Sequence, residues 1–330
     1  MMFTLNFVIF FTLFYPSNGG SCILFIYLCD SKVTIFFHSD AMNIILFSRK
    51  QVNHSPEQIV EMFRAIDKLG LDYSVNEDFA LSIEQLTDIN IPAEKLYTYG
   101  PKATDNDVMV TYGGDGTLLE AVQLLPSRDI PVVGINCGRL GYLTADDGSG
   151  IVELFERIAE GKIGYQRRDM LRISGDVECQ DNPLVLNEVA VHRGGATMIS
   201  VETYVDDNCI ATYHGDGLVV STPTGSTAYS LSAGGPIVDP MCNCLILSPL
   251  APHNLTMRPV VVPNNITITL RLISRGSDVL LSADNRTYRI KDGAMITIER
   301  APEPLILATP HNNTFYDTLR EKMMWGVDNR

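Results

Sequence analysis

The sequence predicts an α/β N-terminal domain with a parallel sheet, followed by an all-β, sandwich-like C-terminal domain. Three observations predict this class. Short apolar runs alternate with amphipathic stretches from residue 42 to about 145. Within that region a strand, a glycine turn, a helix and a second strand follow one another, the succession of a parallel α/β unit. Beyond about residue 165 β-branched runs are separated by hairpin-type turns. The 330 residues are 45% apolar and 19% charged, which suits a globular chain of one large domain or two ordinary ones.

The elements follow in order. Residues 1–41 hold 10 of the 27 aromatics but only Asp30, Lys32 and Asp40 as charges. Their apolar run 3–15 would extend roughly 20 Å as a helix, short of the ~30 Å hydrocarbon core, so no membrane span is expected. No Lys or Arg precedes Lys32, which a signal peptide would need. The segment therefore reads as a non-native or disordered leader ahead of a start at Met42, which the apolar run 43–47 follows at once. Ser55 and Pro56 open a helix as N-cap and first residue, and Ile59, Met62, Phe63 and Ile66 recur at its spacing. A strand at 108–112 runs into Gly113, Gly114, Asp115 and Gly116; a helix resumes from Thr117 to Leu125; another strand occupies 131–135.

In the second half, turns at 206–208, 275–277, 284–286 and 291–293 punctuate strands such as 266–270 and 295–299. The tail offers a strand at 305–307 and a helix at 314–325 that can return to the first domain. The expected division is thus 1–41 as leader, 42–145 as the α/β phosphate-binding domain, completed by 301–330, and 146–300 as a β-rich ligand-binding domain.

Charge and cysteines narrow the function. Lys plus Arg number 25 against 39 Asp plus Glu, a formal charge of −14 that argues against nucleic acid as a partner. Seven cysteines form no C-x-x-C pair and six histidines show no zinc spacing, so the thiols read as reduced in a cytoplasmic protein. The chemistry concentrates in the turn 113–117, where glycines let a backbone approach an anion and helix N–H groups point at it. Asp115 is electrostatically awkward there. It either caps the helix or serves phosphoryl transfer by orienting and deprotonating a hydroxyl or holding the metal that bridges the phosphates. Neither a G-x-x-x-x-G-K-[ST] loop nor a G-x-G-x-x-G after the first strand is present. The run 215–236, dense in Gly, Ser and Thr around Tyr229, suits a nucleoside pocket with that ring as a face for a planar base.

That run resembles the glycine-rich signature of NAD kinases, and four further segments agree with it in order: 113–117, 134–143, 186–189, and 248–255 with Arg258 and Pro259. The resemblance implies the two-domain NAD-kinase fold and transfer of the γ-phosphoryl group of ATP to the 2′-hydroxyl of the adenosine ribose of NAD. It implies Asp115 as the base, with Gly113, Gly114, Gly116 and Thr117 shaping the phosphate site. Asn187 and Glu188 would hold the adenosine part, Asp216 would face the nicotinamide side, and Thr227, Ala228, Tyr229 and Ser232 would line the dinucleotide, which Asp115 and Gly116 also contact. For Asn187, Glu188 and Asp216 the plain alternatives are a turn end, an ion pair with Arg193 and a fixed Gly-Asp-Gly turn. His214 stands where related sequences often carry Arg. The turn 284–286, where family members place a polar side chain near the ligand, is left outside the site, and His253 reads as a packed histidine.

A divalent ion such as Mg²⁺ is expected to arrive with ATP, since no carboxylate cluster marks a protein-held metal site. The resemblance also implies a homodimer or homotetramer, with an exposed edge strand of the β-domain as a contact. Two rival readings are a lipid or sphingoid-base kinase sharing the same turn and a catalytically silent NAD(H)-binding sensor.

Overall fold

A computed structural model describes residues 42–50, 52–104, 106–125, 129–138, 141–144, 150–178, 182–274, 276, 278–309 and 314–326, and the backbone of 8–14, 21–29 and 32–37. That last backbone forms a three-stranded antiparallel sheet of its own. The side chains of the leader lie outside the described residues.

The first domain begins with β1 (Asn43–Phe47), four of whose five residues are buried. Helix α1 (Pro56–Leu69) starts as the sequence predicts: Ser55 accepts from the Gln58 N–H at 3.3 Å and Pro56 takes the first position. It stops at Gly70, whose φ of 64° a β-carbon would disfavour. Then come β2 (Asp72–Asn76), α2 (Glu77–Leu86), the short β3 (Leu96–Tyr97), β4 (Val108–Tyr112), α3 (Asp115–Leu124) and β5 (Val132–Ile135). These strands pair in parallel in the order β3-β2-β1-β4-β5. Strand order reverses at β1, and open parallel sheets as a class receive ligands in the crevice beyond the strand carboxyl ends at such a reversal, here those of β1 and β4.

The sheet takes in more chain than the boundary at residue 145 allows. Helix α4 (Ile151–Ala159) packs on α1, sharing a core of Ile59, Met62, Leu154 and Phe155, and Lys68 meets Glu156 at 3.0 Å. Strand β6 (Gly164–Arg168) forms the sheet's far edge. The expected boundary is corrected accordingly: residues 151–168 carry an apolar helical face and one edge strand that only this sheet can bury. Between β5 and β6 lies β19 (Leu305–Thr309), parallel to the former and antiparallel to the latter, followed by α6 (Phe315–Met323).

The second domain is a sandwich of two antiparallel six-stranded sheets. Its strands are β7 (Leu171–Gly175), β8 (Leu184–Val185), β9 (Glu188–Arg193), β10 (Ile199–Val205), β11 (Asn208–Gly215), β12 (Gly217–Ser221), β13 (Cys244–Leu250), β14 (Val260–Pro263), β15 (Ile268–Ile273), β16 (Val279–Ala283), β17 (Arg286–Ile290) and β18 (Met295–Arg300). One sheet runs β8-β7-β18-β15-β10-β11, the other β14-β13-β12-β9-β16-β17. Alternate residues such as Ile173, Val201, Leu270 and Ile298 from the first meet Val189, Val191, Leu218 and Leu281 from the second in one core. The turns predicted at 206–208, 284–286 and 291–293 contain left-handed Asp206, Asp207, Asp284 and Gly293; Arg275 and Ser277 lie outside the described residues.

A third apolar cluster joins the two domains. Leu118 and Val122 of α3 and Leu305 and Leu307 of β19 pack with Met170, Leu186 and Ala301. The helix that starts at the glycine turn is thereby fixed against the residue preceding Asn187.

Candidate active site

Strand β4 is buried along its whole length and ends at Gly113, whose N–H donates to the Ile135 carbonyl at 2.8 Å. Gly114 is the N-cap of α3 and offers no side-chain cap. Asp115, at the first helical position, does not cap the helix. Its carboxylate reaches across to the loop after β5. Oδ1 accepts from the Leu143 N–H, the Thr144 N–H and the Thr144 hydroxyl, each at 3.1 Å, while Oδ2 accepts from the Tyr142 N–H at 2.8 Å. Gly141 is needed for this wrap, since a β-carbon there would lie 1.9 Å from Asp115 Oδ1. Oδ1 is saturated; Oδ2 keeps a lone pair. Arg139 and Leu140 of the same loop lie outside the described residues.

Two cations flank the turn, and neither was among the residues read from the sequence. Arg49, two residues past β1, brings Nε to 3.3 Å from the Thr117 hydroxyl and a guanidinium nitrogen to 3.3 Å from where a β-carbon on Gly116 would be. Its signal was a cation just beyond the carboxyl end of a switch-point strand. Lys322 on α6 places Nζ 3.9 Å from Asp115 Oδ2. Beside Arg49 opens a cleft of about 570 Å³, lined among others by Ser48, Lys50, Asn76, Thr98, Tyr99 and Glu120.

The second half of the site is stitched around Asn187 and Glu188, both buried. Asp284, left out of the predicted site, holds them. Its carboxylate accepts from the backbone N–H groups of Leu186 at 2.9 Å, Asn187 at 2.8 Å and Glu188 at 3.4 Å. Burial pushes Asp284 above the usual carboxylate range, although these N–H groups oppose the shift. From the other side the Thr222 hydroxyl donates to the Leu186 carbonyl at 2.7 Å, and Gly225 passes so close that a β-carbon would lie 2.2 Å from the Asn187 carbonyl oxygen. The glycine-rich run is thus a tight wall, with Gly225 in place because only glycine fits there.

Burial, with the nearby Asp284 charge, raises the Glu188 carboxyl to about 8, opposed by a hydrogen bond from the Tyr229 N–H. Glu188 Oε2 is buried without a hydrogen-bond partner among the described residues. Tyr229 stands at the start of the short helix α5 (Tyr229–Ser232) with 41% of its surface open, and burial raises its phenol, with the charges of Asp216 and Glu188 adding to the effect. Thr227 and Ala228 are half-buried, Ser232 exposed. Arg193 pairs with Asp216, Nε to Oδ1 at 2.6 Å, rather than with Glu188. His214 is exposed and bonds Ser200 through Nδ1 at 2.7 Å. His253, expected to be packed, is exposed on the loop after β13, where only its backbone N–H is tied, to the His214 carbonyl at 2.8 Å.

Asn187, Glu188, Tyr229 and Asp216 therefore come together directly, and Asp115 joins them through α3 and Leu186. Among the described residues no three His, Cys, Asp or Glu side chains stand close enough to hold a metal ion. A glycine turn at a parallel-strand end, an anchored carboxylate, flanking cations and the cleft beside Arg49 are the parts that a phosphotransferase needs. Residues 33–163 match the ATP-NAD kinase N-terminal domain and residues 186–309 the ATP-NAD kinase C-terminal domain. The chain belongs to the ATP-NAD kinase family.

The NAD kinase of Flavobacterium psychrophilum is 34% identical over 293 residues, covering 88% of this chain and all of that one. That of Geotalea daltonii is 40% identical over 225 residues, 67% of this chain and 79% of the relative. Among solved structures, an Archaeoglobus fulgidus NAD kinase in complex with ATP superposes with a TM-score of 0.66 at 28% identity, covering 86% of this chain and 99% of the other. Yeast NADH kinase complexed with NADH shares the fold, with a TM-score of 0.78 at 23% identity and coverage of 90% and 91%.

Proposed function

We propose that this chain carries out the reaction of its family, moving the γ-phosphoryl group of ATP to the 2′-hydroxyl of the adenosine ribose of NAD, with Asp115 as the base. The observation that carries the assignment is Asp115 Oδ2, a carboxylate oxygen held by the Tyr142 N–H with a lone pair to spare at the N-terminus of α3. The acceptor hydroxyl donates to that oxygen. Its proton passes to Oδ2 as the new O–P bond forms and the bond to the β-phosphate breaks, the electron pair leaving with ADP. Gly113, Gly114, Gly116 and Thr117 cradle the phosphates, and Arg49 adds a charge to that cradle. The cleft beside Arg49 takes the ATP nucleoside, its ring against Tyr99.

On the acceptor side Asn187 and Glu188 take the adenosine of NAD, with the unpartnered Glu188 Oε2 meeting a ribose hydroxyl. Tyr229 gives its open face to a base, Thr227, Ala228 and Ser232 line the dinucleotide, and Asp216, oriented by Arg193, stands toward the nicotinamide. His214, already bonded to Ser200, is at most a rim residue. A divalent ion entering with ATP would offset the charge of its phosphates.

A cytoplasmic setting fits the free thiols of Cys137, Cys209, Cys242 and Cys244; thiol titration of protein from native cells checks it, and disulfides would contradict it. Among the described residues no helix is long and apolar enough to cross a membrane. Self-association is supported by β14, an edge strand whose Val260 and Val261 are 42% and 50% exposed. Light scattering reads it, and a monomer at working concentration would contradict it.

The reaction itself is tested by incubating the protein with ATP, Mg²⁺ and NAD and locating the new phosphate by ³¹P NMR. A 2′-phosphomonoester on NAD is the expected product. Phosphorylation of a lipid extract with no change in NAD would replace this reading by the lipid-kinase one.

A further inference from the structure

The C-terminal helix α6 has no place in the chemistry so far, yet it reaches the reacting carboxylate. Its N-terminus is fixed by a capping box, in which Thr314 and Asp317 exchange hydrogen bonds. It then contacts both domains. Phe315 packs near Tyr142 with ring centroids 6.5 Å apart, and the Tyr316 hydroxyl faces Asp239, just past the glycine-rich run. Two turns further on, Lys322 carries its ammonium to 4.3 Å from the centre of the Tyr142 ring and 3.9 Å from Asp115 Oδ2. That last distance is too long for a hydrogen bond. The ammonium therefore leaves the free lone pair of Oδ2 open while standing one atom's width away from it.

The surroundings point the same way. Among the described residues, the charged and titratable groups placed around the turn are Lys322 from α6, Tyr142 from the loop that wraps Asp115, and Arg49 and Glu120 from the opposite flank, where Arg49 lies 3.8 Å from Glu120. Arg49 is thus partly neutralised by Glu120 and bonded to Thr117, whereas among the described residues Lys322 meets the Asp115 carboxylate and an aromatic face. The Tyr142 hydroxyl is buried without a partner, so the ring that supports Lys322 spends no hydrogen bond on it. A protein of formal charge −14 has placed a cation on the same side of the turn as the oxygen that receives the proton.

We propose that Lys322 is a catalytic residue for the transfer: the cation that meets the γ-phosphoryl oxygens as the group passes from ATP to the hydroxyl held by Asp115. This rests on the reaction assigned above. In the resting site its charge is held by Asp115 Oδ2 and the Tyr142 face. When the acceptor hydroxyl donates to Oδ2 and the γ-phosphoryl group arrives in line with it, the flexible stem of Lys322 swings the ammonium onto the phosphoryl oxygens. There it offsets the charge that builds up in the transition state. Lys322 gains and loses no proton; the hydroxyl proton goes to Asp115 and the leaving electron pair to ADP.

The test compares wild type, Lys322→Met and Lys322→Arg in the full chain, with kcat and the KM for ATP from a coupled NADP assay and the Kd for NAD from calorimetry. Loss of one transition-state charge predicts a fall in kcat of about 100-fold for Lys322→Met, with the Kd for NAD within about threefold. Lys322→Arg keeps the charge and is expected to retain kcat within about tenfold, although its geometry differs. The exposed pair contributes little to folding, so the Met variant should melt within about 2 °C of wild type. A Met variant with kcat within twofold of wild type would overturn the proposal. So would Arg and Met variants equally impaired and equally destabilised, the signature of a structural role. A wild type that binds NAD but forms no NADP would remove the assigned reaction, and this inference with it; an active wild type with an unaffected Met variant would remove the inference alone.

Discussion

At the scale of single residues, Glu188 and Asp284 set the acceptor side of the site by opposite means. Asp284 satisfies three backbone N–H groups, whereas Glu188 leaves one oxygen unpartnered. Asp284→Ala strips three donors of their acceptor, each orphan costing about 1–3 kcal/mol, so a stability loss of about 3 kcal/mol or more is expected. Calorimetry should also show weaker NAD binding, because Asn187 and Glu188 lose their anchor; unchanged affinity in a folded variant would contradict the positioning role. Glu188 gives a pH dependence. Its carboxyl titrates from an ordinary 4.5 in the unfolded chain but is raised to about 8 in the native one, so the native state holds the extra proton between these values. Stability contributed by Glu188 is complete below that window and falls as pH rises through it. Glu188→Gln should flatten the decline of the urea midpoint between pH 4.5 and 8 relative to wild type, and parallel profiles would count against the shift.

At the scale of elements, the loop after β5 and the helix α3 form one unit through Asp115. A methyl group at Gly141 would stand 1.9 Å from Asp115 Oδ1 and 2.2 Å from the Thr144 hydroxyl, so Gly141→Ala must displace the carboxylate. A misplacement of about 1 Å at a reacting group costs about 100-fold, so kcat should fall by that order while NAD affinity, governed by the other domain, is retained. Wild-type turnover by this variant would show that the wrap does not position the base. The glycine turn and the run around Tyr229 stood out in the sequence by their residue types, whereas Asn187 and Glu188 stood out only through the family resemblance. The second role of Asp115 was not. Its anchoring partners are backbone N–H groups of residues 142–144, and a backbone donor has no letter in the sequence. Asp284 looked like a turn residue, which its φ of 50° confirms, and only its burial beneath Asn187 reveals the other function.

At the scale of the whole molecule, the two domains are held by a shared apolar cluster and by two returns of the chain. Composition shows where β-branched strands begin, but it cannot show that 164–168 is an edge strand of the first sheet or that 305–309 slots in beside it, because strand order is a property of pairing rather than of local residues. Arg49 and Lys322 were missed for the same reason: each is an ordinary cation until the fold brings it to the turn. Leu305, fully buried in the cluster that also contains Leu118 and Leu186, tests the coupling. Leu305→Ala should cost about 2–5 kcal/mol and raise hydrogen exchange in both domains together, whereas a change confined to the first sheet would mean that the halves unfold independently. The central claim is that Asp115 is the base in phosphorylation of NAD, and the most direct measurement is NADP formation by wild type and Asp115→Asn with ATP, Mg²⁺ and NAD. NADP is expected from wild type only when all three are present. The Asn variant, which keeps an oxygen for Leu143 and Thr144, is expected to turn over at least about 100-fold more slowly while losing far less of its affinity for NAD. Turnover near wild type by Asp115→Asn would contradict the assignment of the base, and the absence of NADP from a wild-type protein that binds both substrates would contradict the reaction.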